Sequence, residues 1–549
     1  MTIYQVFTRL FGAQNEVLTP GGTKAQNGCG TMADFTPKAL REIKELGITH
    51  VWYTGIIEHA TKTDYTAFGI RRDNPMVVKG QAGSPYAIKD YYDVDPDLAV
   101  KVDKRMKEFE QLVVRTHKAG LGVIMDFVPN HVAREYHSDA KPEGVRDLGE
   151  DDDTNMHFFN QNNFYYLNGR LHTENFPDQD GTYIEIPAKA TGNDQFTEWP
   201  TANDWYETVK LNYGVDIQGG RTNHFDPIPS TWLKMTDILL FWAAKGVDGF
   251  RCDMAEMVPV DFWHYAIARV KEQHPAIMFI AEVYNPDEYR NYIHYGGFDY
   301  LYDKVGLYDT LKNVMAGAST HDITRAWQAV DDIGGHMLNF LENHDEQRIA
   351  SDFFAGDARK GKPALLVSAL MRKNTYMQYF GQELGERGMD AEGFSGRDGR
   401  TTIFDYWRVD TISRWRNEGR FNGTQLTLEE RSLRFFTQRV LNMRNLDPVL
   451  HEGEFYDLMY VNPHLQRQYA FLRRKGESVY LIVANFSEQK EHVSVVLPEH
   501  VFGFYGMPAF ESRRVKDLLT GDEFNVCWQP EHAAELDVNG YNGLILKLI

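Results

Sequence analysis

The chain has 549 residues, 42% hydrophobic and 25% charged, proportions of a core-forming protein that exclude wholesale disorder. Its net charge of −20 repels phosphate backbones and anionic lipid, so neither a nucleic-acid nor a membrane partner is expected. Three distant cysteines, Cys29, Cys252 and Cys527, form no CxxC pair, which removes zinc knuckles, redox motifs and a disulfide framework and leaves three buried free thiols.

In chain order, residues 3–7 read as a strand. Residues 37–46 read as a helix, with Leu40, Ile43 and Leu46 on one face and Gly47 ending it. A strand at 48–53, a helix at 102–119 and a strand at 122–128 follow. The alternation stops between about 131 and 230, a stretch of Asn, Asp, Gly and aromatics too long for an ordinary loop, and is read as an inserted domain. It resumes with a helix at 232–245 and strands near 246–252, 276–282, 298–300, 337–341 and 375–380. Eight strands with intervening helices predict an α/β fold, a (β/α)8 TIM barrel. After about 450, segments 467–474, 478–485, 492–497 and 544–549 alternate apolar and polar residues, as the strands of an antiparallel β-sandwich do. The expected domains are therefore a barrel over 1–131 and 231–450, an insertion over 132–230, and a C-terminal sandwich over 451–549.

No apolar run approaches the ~20 residues that cross a bilayer. The N-terminal residues lack the basic and long apolar regions of an export signal. A cytoplasmic protein is expected as the sequence stands, or a periplasmic or secreted one if a signal has been removed.

In such a barrel the catalytic side chains stand at the C-terminal ends of strands. There the sequence places Asp126-Phe-Val-Pro-Asn130-His131 on the third strand, Arg251-Cys-Asp253 on the fourth, Glu282 on the fifth, and Asn343-His344-Asp345 after the seventh. Crowded carboxylates cannot all remain comfortably ionised, so some pKa values must rise. Arg251 and Asp253 are two residues apart and share a face, which would keep Asp253 anionic as a nucleophile must be. Glu282 has no cation beside it in sequence and is the natural proton donor. A carboxylate nucleophile with a carboxylic acid is the apparatus of a retaining glycosidase. The alternatives are structural: helix caps, an Arg251–Asp253 ion pair, and histidines bonded to loop carbonyls. A metal-dependent barrel hydrolase would need an HxH pair on the first strand and a bridging lysine, and neither is found.

These four segments, in this order, resemble the signature regions of the α-amylase family, glycoside hydrolase family 13. The resemblance extends to the insertion after the third strand, the C-terminal sandwich, and the segments 84–92 and 379–383. It implies Asp253 as nucleophile, Glu282 as acid and base, and Asp345 as the residue that binds the sugar and favours its distorted ring. It further implies Tyr86 stacked beneath the sugar, His131 and His344 on its hydroxyls, Arg251 orienting Asp253, and Asp126 bracing the edge of the site. Asn130 matches the family's calcium-ligand asparagine, so calcium is the one cofactor implied, with no organic cofactor. Asp151–Asp153 would complete that site or form a solvated loop. One departure stands out: Glu256-Met257 occupies the place of a Lys-His pair that contacts the leaving group and helps ligate calcium. The function implied is retaining hydrolysis of α-1,4-glucans such as starch, glycogen or maltooligosaccharides. The rivals are a transglycosylase or isomerase of the same family and an inactive carbohydrate-binding homologue. Aromatics of the insertion (Phe158, Phe159, Tyr165, Tyr166, Trp199, Trp205, Tyr206, Tyr213) are suited either to flanking a sugar cleft or to the insertion's own core.

Overall fold

In the computed structural model, which describes residues 1–548, eight parallel strands close into a barrel. They are β1 (Thr2–Phe7), β2 (His50–Thr54), β3 (Gly122–Phe127), β4 (Gly249–Cys252), β5 (Met278–Ala281), β6 (Tyr300–Tyr302), β7 (Met337–Phe340) and β8 (Thr375–Tyr379). Each pairs with its successor, and Gln5 of β1 lies opposite both Trp52 of β2 and Tyr379 of β8, which closes the ring.

Two expected strands are displaced for a common reason. Residues 246–248 and 298–299 precede β4 and β6 instead of belonging to them. The Asp248 carboxylate accepts the Val123 N–H of β3 at 2.6 Å, and the Asp299 carboxylate accepts the Phe279 N–H of β5 at 2.8 Å. Each aspartate thus satisfies the start of a neighbouring strand with its side chain, a local alternative to the ladder that apolar periodicity does not reveal. The expected helix at 102–119 opens as a tight turn over Val102–Lys104 and becomes α-helical over Arg105–Lys118. The helix Pro37–Glu45 forms as its signals require: Thr36 caps Ala39 N–H, proline leads the first turn, and Ala39, Leu40 and Ile43 are buried.

Side chains inside the barrel alternate along each strand. Ile3, Trp52, Ile124, Ile280, Leu338 and Met377 belong to one buried apolar cluster. Two residues further on, the same faces carry Gln5, Thr54, Asp126 and Glu282. A dry plug therefore underlies a polar layer at the C-terminal mouth, and the period of two creates both.

The insertion leaves and re-enters through a two-stranded antiparallel ladder, His131–Ala133 against Thr208–Lys210, with His131 opposite Lys210. Between them regular structure is nearly absent. A separate apolar cluster forms there from Leu167, Leu171, Phe176, Tyr183 and Tyr206, together with Met76 and Val77 of the β2 loop. The C-terminal unit has a six-stranded antiparallel sheet ordered β9 (Glu454–Asp457), β10 (Gln468–Lys475), β11 (Ser478–Asn485), β16 (Asn542–Leu548), β13 (Phe510–Asp517), β14 (Glu523–Trp528). A two-stranded pair, β12 (Glu491–Val496) with β15 (Ala533–Val538), accompanies it. Ile549, expected in the last strand, lies outside the described residues. Only Cys252 of the three free thiols is buried; Cys29 and Cys527 are half-buried, correcting the expectation for those two. Among the described residues no helix is long and apolar enough to cross a membrane.

The loop that presents Tyr86 depends on Gly83. Its φ is +80°, and a Cβ there would sit 1.6 Å from the Ala60 carbonyl oxygen. Gly144 has nearly the same φ, +82°, with nothing within 4 Å. Gly144→Ala should therefore cost only the roughly 1–2 kcal/mol of a left-handed alanine, while Gly83→Ala should cost clearly more. Denaturant unfolding of the two variants checks this, and equal losses would show that the Ala60 contact relaxes freely.

Candidate active site

The loops at the C-terminal mouth enclose a cavity of about 310 Å³ lined by Tyr86, His131, Asp253, Glu282, His344 and Asp345 among others. Six of the nine residues singled out from sequence thus line one space. Arg251, Asp126 and Asn130 do not.

Arg251 lies beneath the cavity with its side chain fully buried. Its Nη1 donates to Asp253 Oδ1 at 2.7 Å, and its Nη2 lies 2.7 Å from Glu282 Oε2, an ionic contact off the line of a hydrogen bond. Its Nε donates to Tyr302 Oη at 3.2 Å, and the guanidinium packs between the rings of Trp52, Tyr86 and Tyr302. One cation therefore serves both carboxyl groups, correcting the expectation that it belongs to Asp253 alone. The cause is the barrel itself: β4 and β5 are paired, with Cys252 opposite Ala281, so neighbouring strand ends come together although 29 positions separate Asp253 from Glu282.

Glu282 also accepts the Met254 N–H at 2.8 Å and the Tyr284 hydroxyl. Asp253 is pushed well above the ordinary aspartate range, chiefly by burial, then by the charges of Glu282 and Asp345, against the opposing pull of Arg251. This differs from the sequence expectation of an Asp253 held anionic by its arginine. Desolvation and like charge outweigh one shared cation. Asp345 rises to about 7, from burial first and Glu282 next. Asp126 rises to about 6 for burial, with Arg251 and the Trp52 indole opposing. Protons in such a cluster belong to the group and not to single residues.

Asp126 was expected at the edge of the sugar site. It instead accepts the Trp52 Nε1–H at 2.9 Å and lies 3.5 Å from Arg251 Nη1, below the cavity. It supports the guanidinium from underneath.

His344 is buried, and its Nδ1 faces the Gln5 amide nitrogen at 2.8 Å. The amide donates, so the imidazole carries its proton on Nε2, which lies 2.5 Å from Tyr86 Oη and 3.2 Å from Asp345 Oδ2. The Tyr86 and His344 rings stack at 5.2 Å. Burial and Arg251 keep His344 neutral, well below the usual histidine range. His131 is lowered to about 3 by burial and by the charge of Lys210.

Asn130 is buried, and Lys210 Nζ donates to its Oδ1. The expected partners Asp151–Asp153 lie elsewhere in hydrogen-bond terms: Asp151 pairs with Arg146, Asp152 accepts the N–H groups of Asn163 and Phe164, and Asp153 caps Asn155. They form a loop, not a shell around Asn130. One three-carboxylate group among the described residues, Glu58, Asp90 and Asp93, has other occupations. Lys89 lies 3.7 Å from Glu58, Arg105 pairs with Asp93, and Asp90 accepts from Ser138, Asp139 and Ala140.

Sequence reasoning missed Lys79, Glu207, Phe394 and Phe404 of the cavity wall. They come from the β2 loop, the insertion and the loop after β8, where no strand-end rule points. Of the insertion's aromatics Trp205 lines the cavity, Tyr165 and Tyr213 line an adjoining cleft, and Trp199 stacks on His172 away from both.

A closed eight-stranded barrel with carboxylates, an arginine and histidines at its C-terminal mouth is the arrangement of barrel glycosidases. The family model "Alpha amylase, catalytic domain" matches residues 5–420, and the chain belongs to the α-amylase family, glycoside hydrolase family 13. It is 22% identical to Alpha-amylase MalA of Haloarcula japonica over 392 residues, 70% of this chain and 44% of that protein. It is 24% identical to Alpha-amylase 3 of Dictyoglomus thermophilum over 364 residues, 63% of each. The chain thus spans less than two thirds of the length of these curated relatives. The crystal structure of a noncanonic maltogenic alpha-amylase from Thermotoga neapolitana superposes with a TM-score of 0.63 at 22% identity, covering 100% of this chain and 98% of that one, a likeness of fold.

The raised pKa of Asp345 has a consequence for stability. An unfolded aspartate titrates near 4, and the folded group near 7. Its contribution to stability is complete below the unfolded value and is lost as pH rises through the folded one. Because the Asp345 side chain is 34% exposed and solvent screens its charge, Asp345→Asn, permanently neutral, should raise Tm modestly at pH 8 and change it little at pH 4. Thermal melts at the two pH values check this; an equal change at both would contradict it.

Proposed function

We propose that the protein is a retaining glycoside hydrolase acting on α-1,4-glucans, with a maltooligosaccharide or a longer α-glucan as substrate. The observation that carries this is the single guanidinium reaching both Asp253 and Glu282, which holds two carboxyl groups side by side in the wall of one cavity. A retaining pair stands ~5–5.5 Å apart, closer than an inverting pair that must admit water between them.

In the first step an Asp253 oxygen attacks the anomeric carbon while Glu282 delivers a proton to the departing glycosidic oxygen. The bond to the leaving sugar breaks as the glycosyl–Asp253 ester forms. In the second step Glu282, now a carboxylate, takes a proton from water as that water attacks the same carbon and Asp253 leaves. The cluster's shared proton must sit on Glu282 when substrate is bound. A sugar filling the cavity places hydroxyls against Asp345, and Arg251 remains as the cation on Asp253. Asp345, His131 and His344 bind hydroxyls of the sugar being cleaved, and Tyr86 offers an apolar face to its ring. Gln5 and Tyr86 hold His344, while Asp126 and Trp52 support Arg251.

Asp253→Asn should cut turnover by on the order of 10⁴-fold while leaving the fold and oligosaccharide binding largely intact; substantial residual activity would mean another nucleophile. Maltoheptaose followed by NMR reads product length and anomeric configuration together. Shorter α-anomers alone support the proposal. Products longer than the substrate would instead assign a transglycosylase, and β-anomers an inverting enzyme. Binding without turnover would indicate a carbohydrate-binding homologue.

A further inference from the structure

The family resemblance implies calcium at Asn130, and the residues present do not fit it. Asn130 Oδ1 already accepts Lys210 Nζ. The same ammonium lies 2.8 Å from Asp194 Oδ1, an ionic contact off the hydrogen-bond line, and donates to the Met257 carbonyl at 3.3 Å. The Lys210 side chain is only 4% exposed. An ammonium has three N–H donors, and three oxygen groups surround this one. Calcium takes 6–8 oxygens, and a second cation here would meet the lysine's charge at close range. Asp151–Asp153, which would have supplied further ligands, make other bonds.

We propose that Lys210 is a built-in cation replacing a metal ion at this junction, and that it acts as a positioning residue for the active site. It joins three separate pieces of chain: the end of β3 through Asn130, the insertion through Asp194, and the loop after β4 through Met257. The first link orients a sugar-facing side chain. Because Asn130 Oδ1 must face the ammonium, its Nδ2 faces Gly192 O at 2.8 Å and His131 Nδ1 at 3.1 Å. Nδ1 therefore accepts, so the proton of His131 sits on Nε2 of a ring that lines the cavity. The third link fixes the loop 254–257, in which Met254, at φ +43°, donates its N–H to Glu282 Oε2. A fixed point charge thus sets the tautomer of a cavity-lining histidine and anchors the loop whose N–H reaches the proposed acid. Glu256, standing at the other departure from the family pattern, spends its carboxylate on the N–H groups of Tyr284 and Asn285 at 2.9 and 3.0 Å and ties the same loop to β5.

The test uses the whole chain, and its calcium and Tm readouts do not depend on the proposed function; the kcat/KM readout rests on it. Titration calorimetry with calcium chloride should show no stoichiometric binding, and Tm should be the same in EDTA and in calcium. Lys210→Met keeps the apolar stem and removes the charge; it should lower Tm and reduce kcat/KM on whichever glucan is turned over by on the order of 10-fold or more, as loss of a supporting contact does. Lys210→Ala leaves room for an amine, so methylammonium should restore part of its Tm, while tetramethylammonium at equal ionic strength should not. Stoichiometric calcium binding to the wild type that Asn130→Ala abolishes would overturn the proposal. So would a Lys210→Met protein with wild-type Tm and kcat/KM, which would reduce the lysine to filler. Should neither variant fold, the wild-type titration decides alone.

Discussion

The site is organised by one buried arginine. Arg251 is closed off from solvent yet touches Asp253 and Glu282 and faces Asp126, with three aromatic rings around its guanidinium. Burying a charge is costly unless it is paired and hydrogen-bonded. Here the pairing is with groups that themselves resist burial as anions, so cation and carboxylates make one another tolerable. Burial first, and the like charges of neighbouring carboxylates after it, raise Asp126, Asp253 and Asp345 against the pull of Arg251. Protons complete a charge balance that one buried cation leaves open.

The barrel makes such a balance sustainable. Ile3, Trp52, Ile124, Ile280, Leu338 and Met377 fill the interior below the polar layer, so the carboxylates stand on an apolar base. Parallel strands set Arg251 beside Asp126 and Ile280 in register. Distance along the chain is thereby converted into contact between adjacent strand ends. Outside the barrel, Tyr86 and Trp205 complete the wall from a loop and from the insertion and give it aromatic faces.

Much of this was legible in the sequence. The eight barrel strands, the break after β3 and the polar residues at strand ends follow from periodicity of two and from apolar faces that stop abruptly. What was not legible depended on contacts across the fold. Glu282 looked free of cations because its arginine precedes it by 31 positions, and Asp253 looked safely ionised because burial leaves no mark in local sequence. Strand β13 shows little apolar pattern because most of its side chains are polar and face solvent. Lys79 and Glu207 lie in irregular segments, where no period shows which way a side chain points. Lys210 was hidden because a three-residue strand is too short to show a period, and a lone lysine carries no sign that it is buried.

The ladder that closes the insertion places Lys210 directly across from His131. Successive residues of a strand point to opposite sides, so a slip of one position would turn the ammonium away from Asn130. The intervening loops are free to lengthen or shorten over evolutionary time, provided that this short ladder keeps its count. The insertion is consequently not a detachable accessory. A chimera that exchanged it at its visible boundaries, without carrying both strands in their original alignment, would transplant the walls of the cavity and lose the charge that aligns them with the barrel.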